Sequence, residues 1–257
     1  MSLALAVSII DCGKVYASDC SYRYAEFYEP ERGYGAGAAK ILEALNKGAN
    51  HLDTATMTHS EGSFGNGGAM RIAPVGLTYR NESDSYLRSG VTEALQCTHV
   101  HPEAIDAAVV QAKAIGRLAN MEDVSQFKPK EFLKPLLEIT QTQTMKEKLE
   151  NVLEFIEDDV TDEIAVEELG NGVRASEAVS CAIFAAAKYY KNPEKAIINA
   201  VGFGGDTDTT GAMTGALMGA LHGRDWIPDR WIENIENGEK GRDFIINLAE
   251  ELEDVWI

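Results

Sequence analysis

Asp206 and Asp208 stand two residues apart in Gly205-Asp206-Thr207-Asp208-Thr209-Thr210-Gly211, ahead of an unusually bare segment. Gly211, Gly215, Gly219 and Gly223 recur every four residues, with Ala212, Ala216 and Ala220 one place on. Residues four apart share a helix face, so two adjacent stripes carry almost no side chain. Each glycine costs roughly 1 kcal/mol in a helix interior relative to alanine. The row therefore predicts a central helix with neighbouring backbones pressed against it. Two carboxylates at the head of a buried helix need compensation. Asp206, Asp208 and the Thr209 hydroxyl offer hard oxygen donors of the kind Mg²⁺ takes. The competing reading is plain N-capping by Asp206, Thr207 or Asp208, favoured by the helix dipole.

A second cluster lies in Gly62-Ser63-Phe64-Gly65-Asn66-Gly67-Gly68-Ala69-Met70-Arg71. Four glycines in seven residues permit positive φ and close approach to a ligand. The loop runs into an apolar stretch, Ala69 to Leu77, so its N–H groups are candidates for a phosphate cradle at a helix start. Ser63 and Asn66 add hydrogen-bonding side chains. An ordinary tight loop fits the same glycines. No Lys-Ser/Thr follows, and no alternation of strand and helix surrounds the segment, so it is neither a P-loop nor a dinucleotide fingerprint.

His99 and His101 fall in Cys97-Thr98-His99-Val100-His101-Pro102 at a junction between two helices. A spacing of two near a turn does not suit zinc on a helix face. Each is readable as a hydrogen-bonded structural histidine. His51, His59 and His222 have no evident partners and read as surface residues. Cys12, Cys20, Cys97 and Cys181 show neither zinc spacing nor a disulfide framework, which points to reduced thiols in an intracellular protein.

Asp and Glu total 41 against 23 Lys and Arg, a net charge of −18. Such a field repels polyanions, so general nucleic-acid binding is excluded. A phosphate-bearing ligand would need local help from a metal ion or from backbone N–H groups. No apolar run is long enough to cross a membrane. Leu3 to Ile10 has no basic residue before it and is closed by Asp11, so it reads as a buried helix rather than a signal peptide. From Glu154 to Glu168 there are eight acids and no base, which reads as a solvated face.

The elements that must position these residues are helical. Core-spaced apolar residues predict helices over 36–45, 83–98, 101–118, 132–139, 145–156, 177–190 and 243–255. Period-two alternation is rare and no internal repeat or linker is evident. With 257 residues, 45% of them apolar, the chain can bury one large core. The expectation is an all-α, compact single domain over 1–257.

Five segments occur together in a known order: RGYGAG (32–37), GSFGNGGAMR (62–71), THVHPEA (98–104), ELGNG (168–172) and GGDTDTTGAMTGALMGA (204–220). In these the chain resembles the ADP-ribosylglycohydrolases, the superfamily that includes dinitrogenase-reductase-activating glycohydrolase. It is most similar to the branch acting on O-linked ADP-ribose, as in ADP-ribosylserine hydrolysis and poly(ADP-ribose) degradation. The resemblance implies an orthogonal helical bundle with two central Mg²⁺ ions. It implies metal ligation by Asp206, Asp208 and Thr209. It also implies that Gly62, Ser63, Phe64, Gly65 and Asn66 wrap the diphosphate and distal ribose, and that His99 lies near the ligand. The implied partners are ADP-ribose or an ADP-ribosylated protein, bound by a monomer.

The family's other metal motif, Thr-Asp-Asp-Thr, has no match. Met1 to Ile10 resembles the helix that follows that motif, so the first helix, the first metal motif and the family's acid/base glutamate are expected to be lacking. Asp11, Asp19 and Glu26 do not occupy matching positions. Two readings follow: a hydrolase acting at the anomeric carbon of ADP-ribose, or an inactive ADP-ribose-binding or crystallin-like structural relative.

Overall fold

The computed structural model describes residues 1–255. Fifteen α-helices and three short 3-10 turns carry the described residues. No strand occurs among them, and the extended pairing they contain is an isolated antiparallel bridge between Gly65 and Arg174. The all-α expectation holds.

The expected helices form as Ala36–Asn46, Asp84–Leu95, Pro102–Ala119, Pro129–Ile139, Gln143–Glu157, Ala175–Lys188 and Arg242–Glu253. The N-terminal run is the helix Ser2–Cys12, whose Ala4, Leu5 and Ile9 are fully buried. Gly13 at φ +71 ends it in the left-handed conformation that glycine tolerates.

Two helices are buried nearly all round. Pro102–Ala119 buries Ala104, Ala107, Ala108, Val110 and Ile115, and Ala175–Lys188 buries Ala178, Ile183 and Phe184. A helix buried on nearly every side belongs in the centre of a fold. Thr207–His222 packs beside both through Met213, Leu217, Met218 and Leu221. The Gln111 Nε2 amide donates to Met213 O at 3.1 Å and ties two of the three together.

The glycine row behaves differently from the expectation. A Cβ on Gly211 would meet Val201 Cγ2 at 2.9 Å, but Gly215 and Gly219 have room for one. Ala212 is exposed. Gly223 lies beyond the helix end at φ +72. The tight backbone crossing is elsewhere. A Cβ on Gly76 would lie 2.6 Å from Ala112 O, and one on Gly116 would lie 2.8 Å from Gly76 O.

Seven of the eight acids between Glu154 and Glu168 are exposed. The exception is Asp162, which accepts from Lys188 Nζ at 2.8 Å and from the Tyr189 hydroxyl. No helix among the described residues is long and apolar enough to cross a membrane.

Candidate active site

One cleft of about 790 Å³ gathers Ser63, Gly65, Asn66, His99, Asp206, Asp208 and Thr209. Its size falls within the roughly 300–1,000 Å³ of small-ligand sites. Residues more than 130 positions apart in the chain thus meet around one space.

The short segment Asn171 to Ala175 holds the two halves together. Asp206 N donates to Asn171 O at 2.9 Å, and Asn171 Nδ2 donates to Phe203 O at 2.8 Å. On the other side, Asn66 N donates to Val173 O and Ala175 N donates to Phe64 O. The glycine loop and the carboxylate helix are therefore both fastened to one strip of backbone. Gly205 sits at φ +66, and a Cβ there would lie 2.0 Å from Asn171 O. Only glycine fits that approach.

Asp206 occupies the N-cap position of Thr207–His222, yet its side chain makes no capping bond. Its Oδ2 instead accepts from Asn66 Nδ2 at 2.7 Å. The plain capping reading does not describe this carboxylate. A hydrogen bond shared with Asp206, followed by the Thr209 backbone N–H, holds the Asp208 carboxyl below the usual carboxylate range. Thr209 is buried, and its hydroxyl faces the Met70 sulfur at 3.9 Å, a weak acceptor.

The glycine loop differs from a helix-opening cradle. It leads into a 3-10 turn, Ala69–Arg71, and then the six-residue helix Ala73–Thr78. The N–H groups of Gly62, Gly65 and Asn66 are engaged by His59 O, Ser63 Oγ and Val173 O. Gly62, at φ +85, is required by packing: a Cβ there would lie 2.6 Å from Val100 Cγ2 and 2.8 Å from His101 N.

His99 is buried behind this loop. A Cβ on Gly67 would lie 3.1 Å from its ring, and its Nδ1 is 2.8 Å from Thr98 Oγ1. Burial first, and then the Arg71 charge, push its pKa down to about 3, so the ring is neutral.

Phe64 is 45% exposed and, unlike its neighbours Ser63 and Gly65, does not line the cleft. The Arg174 guanidinium lies 5.4 Å from its ring centre, with His101 edge-on at 6.0 Å and His59 at 6.5 Å. Arg174 is in turn gripped by Glu103, through Nε at 2.6 Å and Nη2 at 3.0 Å. Burial alone would raise the Glu103 carboxyl, but hydrogen bonds from Arg174 and Ser176 outweigh it and hold it low. The result is an open aromatic surface with a fixed backing.

Several neighbours were not visible in the sequence. Glu29, Arg32, Glu236 and Lys240 line one end of the cleft. Lys240 Nζ reaches Glu29 at 3.0 Å, and Arg32 bridges Glu29 and Glu236. The Lys240–Glu29 and Arg32–Glu236 pairs join positions more than 200 residues apart, so no local signal marks those two contacts. His59 is exposed, as a surface residue would be, and also lines the cleft, whereas His222 is half-buried with its Nε2 2.7 Å from Tyr190 O. Asp11, Asp19 and Glu26 gather around Arg23 and do not line the cleft.

The fold recurs in a solved structure described as an ADP-ribosylglycohydrolase-related protein complex. The TM-score is 0.74 and the identity 26%, over 100% of this chain and 80% of that one. The family model for ADP-ribosylglycohydrolase matches residues 1–257, and the chain belongs to that family of hydrolases acting on ADP-ribose linkages. It is 28% identical to human ADP-ribosylhydrolase ARH3, over 93% of this chain and 74% of that protein. It is 31% identical to the same-named protein of Danio rerio, over 93% and 71%.

Proposed function

We propose that residues 1–257 form a single domain that hydrolyses O-linked ADP-ribose, such as ADP-ribosylserine or poly(ADP-ribose), at the anomeric carbon with Mg²⁺. The observation that carries this reading is the Asn66–Asp206 hydrogen bond, which joins the ligand loop to the carboxylate pair inside one cleft. The human and Danio rerio relatives are themselves named ADP-ribosylhydrolases.

The donor set fits a hard divalent ion. Asp206 and Asp208 both line the cleft, and the buried Thr209 hydroxyl has only a thioether partner among the described residues. Asp206, Asp208 and Thr209 would hold the ion, with waters completing its shell. Bound there, it supplies the positive charge that orients ribose hydroxyls and favours attack by water.

The chain's own residues do the rest. Asn66 aims Asp206. Ser63 Oγ accepts from Gly65 N at 3.1 Å and keeps its proton for a ligand oxygen. Gly65 and Gly67 let the ligand approach the neutral His99 ring. Gly62 sets the loop's turn, and Phe64 offers its open face to a flat group. The partner is ADP-ribose or an ADP-ribosylated protein, taken by a monomer. Four free cysteines suit an intracellular setting.

A second reading is ADP-ribose binding without turnover. It is favoured by the absence, among the described residues, of any group of three acidic, histidine or cysteine side chains able to share a metal. Calorimetry with ADP-ribose, paired with release of ADP-ribose from a serine-modified peptide, separates the two. Micromolar binding with release is expected. Binding without release supports the second reading, and no binding contradicts both.

A further inference from the structure

Arg71 is 2% exposed and lines the cleft beneath the glycine loop. Its described partners are all neutral. Nη1 donates to Gly67 O at 2.9 Å, and Nη2 donates to Thr98 Oγ1 at 2.5 Å and Ala94 O at 3.4 Å. Its guanidinium carbon lies 4.7 Å from the Tyr24 ring centre. Nε is buried without a partner among the described residues.

An always-charged group buried without a counter-charge is costly. This chain has 41 carboxylate side chains against 23 Lys and Arg, so acids are abundant for pairing. The other cations lining the cleft, Arg32 and Lys240, are paired with carboxylates. Asp106 shows how the fold treats a buried charge elsewhere: it is matched by Arg88 at 2.8 Å. Arg71 stands apart from that pattern. The hydrogen bond to Gly67 O places its charge directly behind the loop, where solvent screening is weak.

We infer that Arg71 is the counter-charge for an anionic ligand seated on the glycine loop, a diphosphate in the proposed substrate. Its charge offsets the repulsion that a net −18 chain exerts on such a ligand. The inference rests on the ADP-ribose reading for the identity of the ligand, but the anion preference is testable by itself.

The experiment measures the melting temperature of the whole chain with and without inorganic pyrophosphate and, separately, ADP-ribose. Wild type and Arg71→Lys are compared with Arg71→Met. Arg71→Lys keeps the charge and loses two-fork hydrogen bonding, so it melts lower yet still gains stability from pyrophosphate. Arg71→Met loses the pyrophosphate shift and binds ADP-ribose at least about tenfold more weakly, while adenosine binding is unchanged.

If Arg71→Met does not fold, Arg71→Lys alone decides. Its pyrophosphate affinity within about threefold of wild type supports the inference, and loss of that affinity overturns it. Equal pyrophosphate shifts in wild type and Arg71→Met also overturn it, as does a wild type that shows none. A wild type stabilised by pyrophosphate but not by ADP-ribose leaves this inference standing and removes the substrate reading.

Discussion

The Asn66 side-chain amide donates to Asp206 Oδ2 at 2.7 Å across 140 residues of chain. It turns the carboxylate away from its own helix end and into the cleft. Residues that orient a metal-binding carboxylate affect metal affinity by about 10–100-fold when removed. Asn66→Ala is expected to weaken Mg²⁺ binding by at least about tenfold, with a matching fall in ADP-ribose release. Calorimetric titration of Mg²⁺ into wild type and variant checks this, and unchanged affinity would remove Asn66 from the site.

Gly205 makes the same point from the backbone. At φ +66, with Asn171 O where a Cβ would go, Gly205→Ala must move the segment that carries Asp206. The variant is expected to lose more than about 1 kcal/mol of stability. It is also expected to lose activity beyond what its folded fraction explains. Denaturant unfolding alongside an activity assay reads both.

His99 makes stability fall in acid. Its folded pKa is about 3, against about 6.5 for an ordinary imidazole, so the unfolded chain binds the proton first as pH drops. The contribution is complete above pH 6.5 and is lost on going from 6.5 towards 3, at up to about 1.4 kcal/mol per pH unit. His99→Gln should flatten that slope. Urea midpoints for both proteins at pH 7, 6 and 5 test it, and parallel slopes would show that His99 is not the group responsible.

Much of the site was legible because the residues themselves are unusual. Two carboxylates before a bare helix, and four glycines beside Ser63 and Asn66, announce oxygen chemistry and close ligand approach. What joins them was not legible. Val173 and Ala175 act through backbone atoms, which any residue carries, and Asn171 adds its side-chain amide to its carbonyl only against the distant Phe203 and Asp206, so ELGNG shows only as a glycine-bearing segment. Arg71 looks like an ordinary end to a loop until its burial and neutral partners are seen. The glycine row misled in one respect. Glycine predicts that a neighbour can approach, but within the row only Gly211 meets one closely, while a tight helix-to-helix backbone approach uses the inconspicuous pair Gly76 and Gly116.

Asp106 separates stability from function. It is fully buried and accepts from Arg88, from Gln141 N and Thr142 N, and from the Thr142 hydroxyl at 2.8 Å. It does not line the cleft. Asp106→Ala strands Arg88 and two backbone donors and is expected to cost about 3–5 kcal/mol. ADP-ribose affinity of the folded fraction should not change. Chemical denaturation and calorimetry at low temperature measure the two quantities separately.

The Asp206–Asp208 pair is proposed to make hydrolysis of ADP-ribose linkages depend on a divalent ion. The direct measurement is release of ADP-ribose from a serine-ADP-ribosylated peptide by wild type and Asp208→Ala, each with Mg²⁺ and with chelator. Release by wild type with Mg²⁺ is expected, and its loss on chelation or in Asp208→Ala. Release that survives both would contradict that dependence.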